Sequence, residues 1–465
     1  MAEDFRKRKE EKDLIKKFEE QLRNGENIFF GLEAFEEIIS YYIENGKYKK
    51  ALKACEIATV QYPYSIELVI DMAQVLSNLE RYDDALEILE KAGYMNPNDA
   101  EINTLKGSIL CLCGEYEQAI EIFNAVLPFA EDKDEIYYNI GMAYQSAGQF
   151  NQAADAYKNA IEENINNTSA LYELAFCLDV AGELEDSLSY YAKFIDSDPY
   201  SSYAWYNQGI VLNKLNKYEE AVNSYEYAIL IDPDFASAHF NLGNALMNLE
   251  KFDKALKAFK TTLKLEGPSP EVYCHIASSY EKLEHYDLAI KYYRKSIKLD
   301  QMNDEAWFGI GCCFGKQDKW FQAIHFLNKA LKIDSENFIY WQSIAEAEYH
   351  AGNIISSLDA YEESCLLNPA NLDVWLNWSF IYYEQGDNEK AIELIMSGIE
   401  ELPESSELYY RLTAYLISAG KYKEAFHYLE NALILNFDNH KVLFEFFPRL
   451  ETQKALFKII DQYRK

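Results

Sequence analysis

The 465-residue sequence predicts an all-α solenoid, a row of stacked helix-turn-helix units, on three observations. The first is a stretch that serves as a template, 202–235, SYAWYNQGIVLNKLNKYEEAVNSYEYAILIDPDF. Two runs of helical apolar spacing lie in it, separated by Leu215-Asn216-Lys217-Tyr218, and Asp232-Pro233 closes it because proline cannot continue a helix. The second is recurrence. With the template numbered from 1, position 20 falls on Ala51, Ala85, Ala119, Ala153, Ser187, Ala221, Ala255, Ala289, Ala323, Ser357, Ala391 and Ala425, a step of 34 with no insertion or deletion. The third is size. Position 8 is small from Ala73 onward (Gly107, Gly141, Gly209, Gly243 and Gly311 among them), and position 24 is bulky at Phe123, Tyr157, Tyr191, Tyr225, Phe259, Tyr293 and Tyr361. Small residues at 8 and 20 let two helix backbones approach closely, and a large one at 24 fills the space beside them.

Residues 1–31 precede the register. Leu14, Ile15, Phe18 and Leu22 share one helical face, Asn24-Gly25 ends the helix, and the other face carries Arg6, Lys7, Arg8, Lys9, Lys12, Lys16 and Lys17. A basic amphipathic helix that caps the array is expected there. Twelve repeats then fill 32–439: 32–65, 66–99, 100–133, 134–167, 168–201, 202–235, 236–269, 270–303, 304–337, 338–371, 372–405 and 406–439. Pro128, at position 29, should shorten the second helix of repeat three, and Gly267-Pro268-Ser269-Pro270 should sharpen the turn after repeat seven. In repeat ten Glu348 stands at position 11, where an apolar residue is the rule, so Tyr349 should take over its packing. Residues 440–465 read as capping helices: HKVLFEFFP is cut by Pro448, and Leu450, Leu456, Phe457, Ile460 and Tyr463 make the next apolar face. A solenoid needs such terminal elements to shield its last exposed face.

The bulk numbers exclude several functions. Forty-four basic against 77 acidic residues leave a formal charge of −33. That disfavours nucleic acid and anionic membranes, both of which need a basic footprint. Many of the acids (Glu33, Glu67, Glu101, Glu135, Glu271, Glu305, Asp373, Glu407) sit at position 2, where the helix dipole stabilises a carboxylate. The N-terminus has no apolar core for a signal peptide and no run is long enough to span a membrane. Eight cysteines scattered over unrelated positions read as reduced thiols, so the cytoplasm is the expected compartment.

The register of residues such as Trp205, Gly209, Tyr218, Ala221, Tyr225, Ala228 and Pro233 resembles the tetratricopeptide repeat (TPR) family. The resemblance implies a right-handed superhelical solenoid whose first helices line a concave groove through positions 2, 5, 6, 9, 12 and 13. On that template the peptide-binding groove is Tyr138, Tyr172, Tyr206 and Phe240 at position 5, Asn139, Glu173, Asn207 and Asn241 at position 6, Asn244 at 9 and Asn213 at 12. An asparagine amide both donates and accepts, so a ladder of them can hold an extended peptide backbone. Aromatics beside it offer rigid contact area. The competing reading is that these tyrosines pack on neighbouring helices. A second family mode, a clamp for chaperone tails, matches at Asn377 and Arg411 but departs at Gln342, Glu346 and Glu407, two of them acids where a carboxylate would have to be gripped.

No phosphate loop, dinucleotide fingerprint, HExxH or zinc-type cysteine pair occurs, so an enzyme is not expected and neither is a cofactor. Cys274 and His275 with Cys312 and Cys313 form the one grouping of metal-ligating types, read as buried thiols. The sequence thus predicts a scaffold or adaptor holding a protein or peptide partner. The alternative is a structural homo-oligomer assembled through its terminal helices or convex face.

Overall fold

The computed structural model describes residues 2–24, 29–97, 99–446 and 454–463. The described residues are helices and turns, without strands. They form two compact units, Met1–Pro233 and Asp234–Lys465, so the division falls at the end of repeat six. Within each unit, consecutive helices pack as antiparallel pairs in the 34-residue register, for example Ile66–Asn78 with Tyr82–Met95, and Asp304–Gly315 with Trp320–Ile333.

The turn inside every pair has one geometry. Its residue at position 15 has positive φ in all twelve repeats, from Gly46 (φ 65°) to Gly420 (φ 78°). The N–H of position 16 donates to the carbonyl of position 11, as Lys47 does to Tyr42 at 2.8 Å and Lys217 to Leu212 at 2.9 Å. This bond satisfies one of the carbonyls left over at the helix end. Seven of the twelve left-handed residues are glycine; the other five are Glu80, Asn216, Glu250, Glu284 and Asp318. The second helix then opens at position 17 on a large side chain in most repeats (Tyr48, Tyr82, Phe150, Trp320).

Positions 8 and 20 are buried throughout, and every residue at 20 is at most 1% exposed. The reason is direct at Gly209. A Cβ there would lie 2.6 Å from the Tyr225 ring, so only glycine admits the position-24 aromatic. Where serine replaces alanine at position 20, its hydroxyl is satisfied: Ser357 donates to the Ala345 carbonyl and Ser187 to that of Leu184, each at 2.7 Å. Position 34 caps the following helix in many repeats, through Ser65, Asp99, Asn167, Ser201, Ser269, Asn303, Asn337 and Asn371.

The irregular places behave as follows. The second helix of repeat three, Tyr116–Val126, has 11 residues against 14 in repeat two, as Pro128 requires. The second helix of repeat seven runs to Glu266 and ends at Gly267 (φ 88°), and Pro270 opens the next helix under a Ser269 cap. Repeat five departs without warning: its second helix begins as a 3-10 turn, Leu184–Asp186. In repeat ten Glu348 keeps a partner, accepting from Asn353 Nδ2 at 2.6 Å, while half-buried Tyr349 donates to Glu384.

At the first end, Phe18 of the helix Ala2–Asn24 is 1% exposed and meets Phe30, Phe35 and Tyr42 with ring centroids 6.1–6.5 Å apart. Glu19 accepts from Lys50 (2.6 Å) and Tyr42 (3.2 Å), and the Lys50 bond holds its carboxyl below the ordinary value. The side chains of Arg6, Lys7, Arg8 and Lys9 lie outside the described residues, as do Gly25, Pro448 and Leu450. At the other end Leu443, Leu456 and Ile460 are buried in one cluster with Leu429 and Leu433, and the Phe444 and Phe457 rings stack at 5.1 Å.

Candidate functional site

Of the ten predicted groove residues, seven belong to the first unit. Tyr138 and Asn139 are carried by the helix Lys133–Ser146, Tyr172 and Glu173 by Thr168–Val180, and Tyr206, Asn207 and Asn213 by Ser202–Lys214. All but Tyr172 are half-buried; Tyr172 is 55% exposed. The position-5 rings lean on the aromatic at position 24 of their own repeat: Tyr138 on Tyr157 at 5.8 Å and Tyr206 on Tyr225 at 6.0 Å, both tilted. Part of this stripe is therefore structural. In the second unit Phe240 does the same with Phe259 at 5.6 Å, on the helix Ala236–Asn248 that also bears Asn241 and Asn244. His275 completes that cluster, stacked on Phe259 at 5.0 Å, and its burial holds the imidazole below its ordinary pKa.

The position-6 and position-12 groups form hydrogen-bonded links between repeats. Tyr157 Oη donates to Gln145 Oε1 at 2.7 Å, and Gln145 Nε2 donates to Glu173 Oε2 at 2.8 Å. This chain pins Glu173, with one carboxylate oxygen engaged. Asn213 Oδ1 is different, a buried acceptor that no donor reaches. Leaving a buried acceptor unsatisfied in this way costs about 1–3 kcal/mol.

Tyr172 and Asn207 come together. They line a pocket of about 150 Å³ with Phe176, Tyr191, Ile210 and Lys214. Phe176 is 44% exposed and stands edge-on to Phe150 at 6.1 Å, and Lys214 pairs with Asp179 at 2.5 Å. Neither Phe176 nor Lys214 was named from the asparagine ladder. They stand at positions 9 and 13, so the groove register itself carried the signal. The pocket offers two exposed aromatic faces, an amide and an ammonium, groups suited to an extended peptide with one apolar side chain.

Other candidates resolve into packing. Arg411 is 6% exposed, its guanidinium 5.7 Å from the Phe380 ring centroid and donating to the Leu376 carbonyl and Tyr415 hydroxyl at 3.4 Å. It is built into the packing between repeats eleven and twelve. Among the described residues no group of three His, Cys, Asp or Glu side chains could hold a metal ion. Burial pushes the Cys274 thiol up to about 11 and that of Cys312 to about 12, which keeps both as thiols and poor ligands. No helix among the described residues is long and apolar enough to cross a membrane.

No curated protein matches the chain. Among solved structures it is similar to "Crystal structure of APC/C hetero-tetramer Cut9-Hcn1", with 16% identity and a TM-score of 0.40, over 83% of this chain and 97% of that one. It is also similar to "Crystal structure of MamA protein" (18% identity, TM-score 0.33, 36% and 92% covered). A third is "Crystal structure of YrrB: a TPR protein with an unusual peptide-binding site" (19% identity, TM-score 0.33, 40% and 95% covered). At such scores the overlaps carry no argument about function. Family models are more direct. Those described as "Tetratricopeptide repeat" match 42–109, 135–167, 190–223, 236–267 and 270–301, and one described as "TPR repeat" matches 209–250. The 34-residue register, the left-handed turn repeated in every helix pair and these models agree that the chain belongs to the tetratricopeptide-repeat family.

Proposed function

We propose that the chain is a non-enzymatic adaptor that holds a protein or peptide segment on the face made by its first helices. Repeats of this family support protein-interaction scaffolds in general; the finer reading rests on one observation, the pocket that brings exposed Tyr172 and Phe176 beside Asn207 and Lys214. An apolar partner side chain would enter between the rings, and the Asn207 amide would hold the backbone beside it. The terminal helices serve as caps in this reading, Phe18 at one end and Leu456 with Ile460 at the other covering apolar surface.

The test selects a displayed random-peptide library on the full chain and then measures the selected peptides on variants. Asn207→Ala should weaken binding about fivefold or more, since the lost amide removes roughly 1 kcal/mol or more. Thermal unfolding should stay nearly unchanged, because this side chain is only half-buried. Unchanged binding rejects the site. The rival reading, a homo-oligomer, is separated by light scattering on a size column. A concentration-dependent oligomer abolished by removing 1–31 or 440–465 would support it over the adaptor.

A further inference from the structure

In four repeats the residue at position 4 is a tryptophan whose indole fills a slot beside the preceding turn. Trp205, Trp307, Trp341 and Trp375 each donate Nε1–H to the carbonyl six residues earlier, those of Pro199, Gln301, Ser335 and Pro369, at 3.0, 3.0, 3.0 and 2.8 Å. The walls of the slot come from the second helix: Trp205 stacks on Tyr227 at position 26 (4.6 Å) and Trp307 on Phe326 at position 23 (5.9 Å). Repeat three keeps the bond without the ring, through Asn103 Nδ2 to the Pro97 carbonyl at 3.0 Å.

Repeat two keeps neither. Val69 stands at position 4, too short to cross the slot, and among the described residues no group donates to the carbonyl of Pro63, six residues earlier. What those four repeats fill with an indole is here an open cleft of about 410 Å³. Its walls are Val69, Met72, Ile88 and Ala92, with Met95 and Pro63 at its edge. Ile88 and Lys91 occupy positions 23 and 26, the same two wall positions that face the indoles of repeats nine and six. The cleft is mostly apolar, and Pro63, which lines it, holds the register position whose carbonyl receives an indole N–H in four other repeats. It shares no residue with the groove pocket.

We infer that this cleft receives a tryptophan side chain presented by a protein partner, in the place and with the hydrogen bond that the chain's own position-4 indoles use. Two methionines on flexible side chains would close over the ring, as thioethers do on aromatic edges. The partner class follows from the walls: an indole has both the apolar area and the single N–H donor that they match, and an aliphatic side chain has only the first. The inference is independent of the groove, and either can fail alone.

The experiment uses the full chain with its seven methionine methyl groups isotopically labelled, titrated with N-acetyltryptophanamide. Met72 and Met95 should shift saturably, with a dissociation constant on the order of 0.1–1 mM for a ligand of this size, while the other five stay still. N-acetylleucinamide should bind at least about tenfold more weakly, lacking the donor and the ring area. Val69→Trp places an internal indole in the cleft and should abolish the response. Ala92→Leu narrows it from the opposite wall and gives the same answer should the first variant fold poorly. Uniform shifts over all seven methyls, equal response to the leucine amide, or a response that survives in a folded variant would each overturn the inference.

Discussion

Gly309 stands at position 6 of repeat nine, which the groove register assigns to the binding face. The structure gives it another task. A Cβ there would lie 2.2 Å from Tyr293 Cζ and 2.6 Å from its hydroxyl. The cause lies one repeat back. Repeat eight has Ala277 at position 8, where Gly209 and Gly243 elsewhere admit the position-24 ring, and its Tyr293 presses instead against Gly309 and donates to half-buried Glu281 at 2.7 Å. Gly309→Ala should therefore destabilise the protein by about 1–3 kcal/mol, the usual range for an overpacked site. Urea unfolding measures it, and a neutral result would mean that the Tyr293 ring moves freely. The pattern of small residues was legible in the sequence. Which ring each one receives was not, because that depends on rotamers chosen between two repeats.

At the scale of the element, the turn is where sequence and structure inform each other most. Five of the twelve left-handed positions lack glycine, and Glu250 and Glu284 occupy two of them with φ 56° and 61°. A side chain in that conformation costs about 1–2 kcal/mol, partly offset because glycine would lose more backbone entropy on folding. Glu250→Gly and Glu284→Gly should each stabilise by about 0.5–1 kcal/mol, read as a rise in the urea midpoint at unchanged slope. A fall would show that these glutamates make compensating contacts. The glycines at position 15 are visible in the sequence, but the positive φ shared by Glu, Asn and Asp is not, since only the position-16 to position-11 bond reveals it. Likewise the Pro128 break was readable from proline's missing N–H, whereas the 3-10 start at Leu184–Asp186 has no proline or glycine to announce it.

For the whole molecule the charge matters most. A formal charge of −33 is spread over first-helix faces and surfaces, with few cations to pair it. Asp71 records the field locally: burial, and then Glu36, Glu101 and Glu67, push its carboxyl up to about 6. Self-repulsion of this kind destabilises a compact chain and is screened by salt. Raising sodium chloride from about 0.02 to about 0.5 M should lift the unfolding temperature by a few degrees, as the Debye length falls from roughly 20 Å to under 5 Å. A lowered temperature would mean that exposed pairs such as Lys53–Glu56 and Lys91–Glu87 outweigh the repulsion.

By itself the sequence determined the helical pairs, their 34-residue step and the family. Each of these follows from residue size and spacing along one chain, information that is local and repeats twelve times. Tertiary structure alone decided which groove residues are available: Tyr138, Tyr206 and Phe240 lean on their own repeats while Tyr172 stands open beside Asn207. It also decided that Val69 leaves a cleft where Trp205 fills one. Exposure and cavity are properties of neighbours brought together by packing, and no single position in the register carries them.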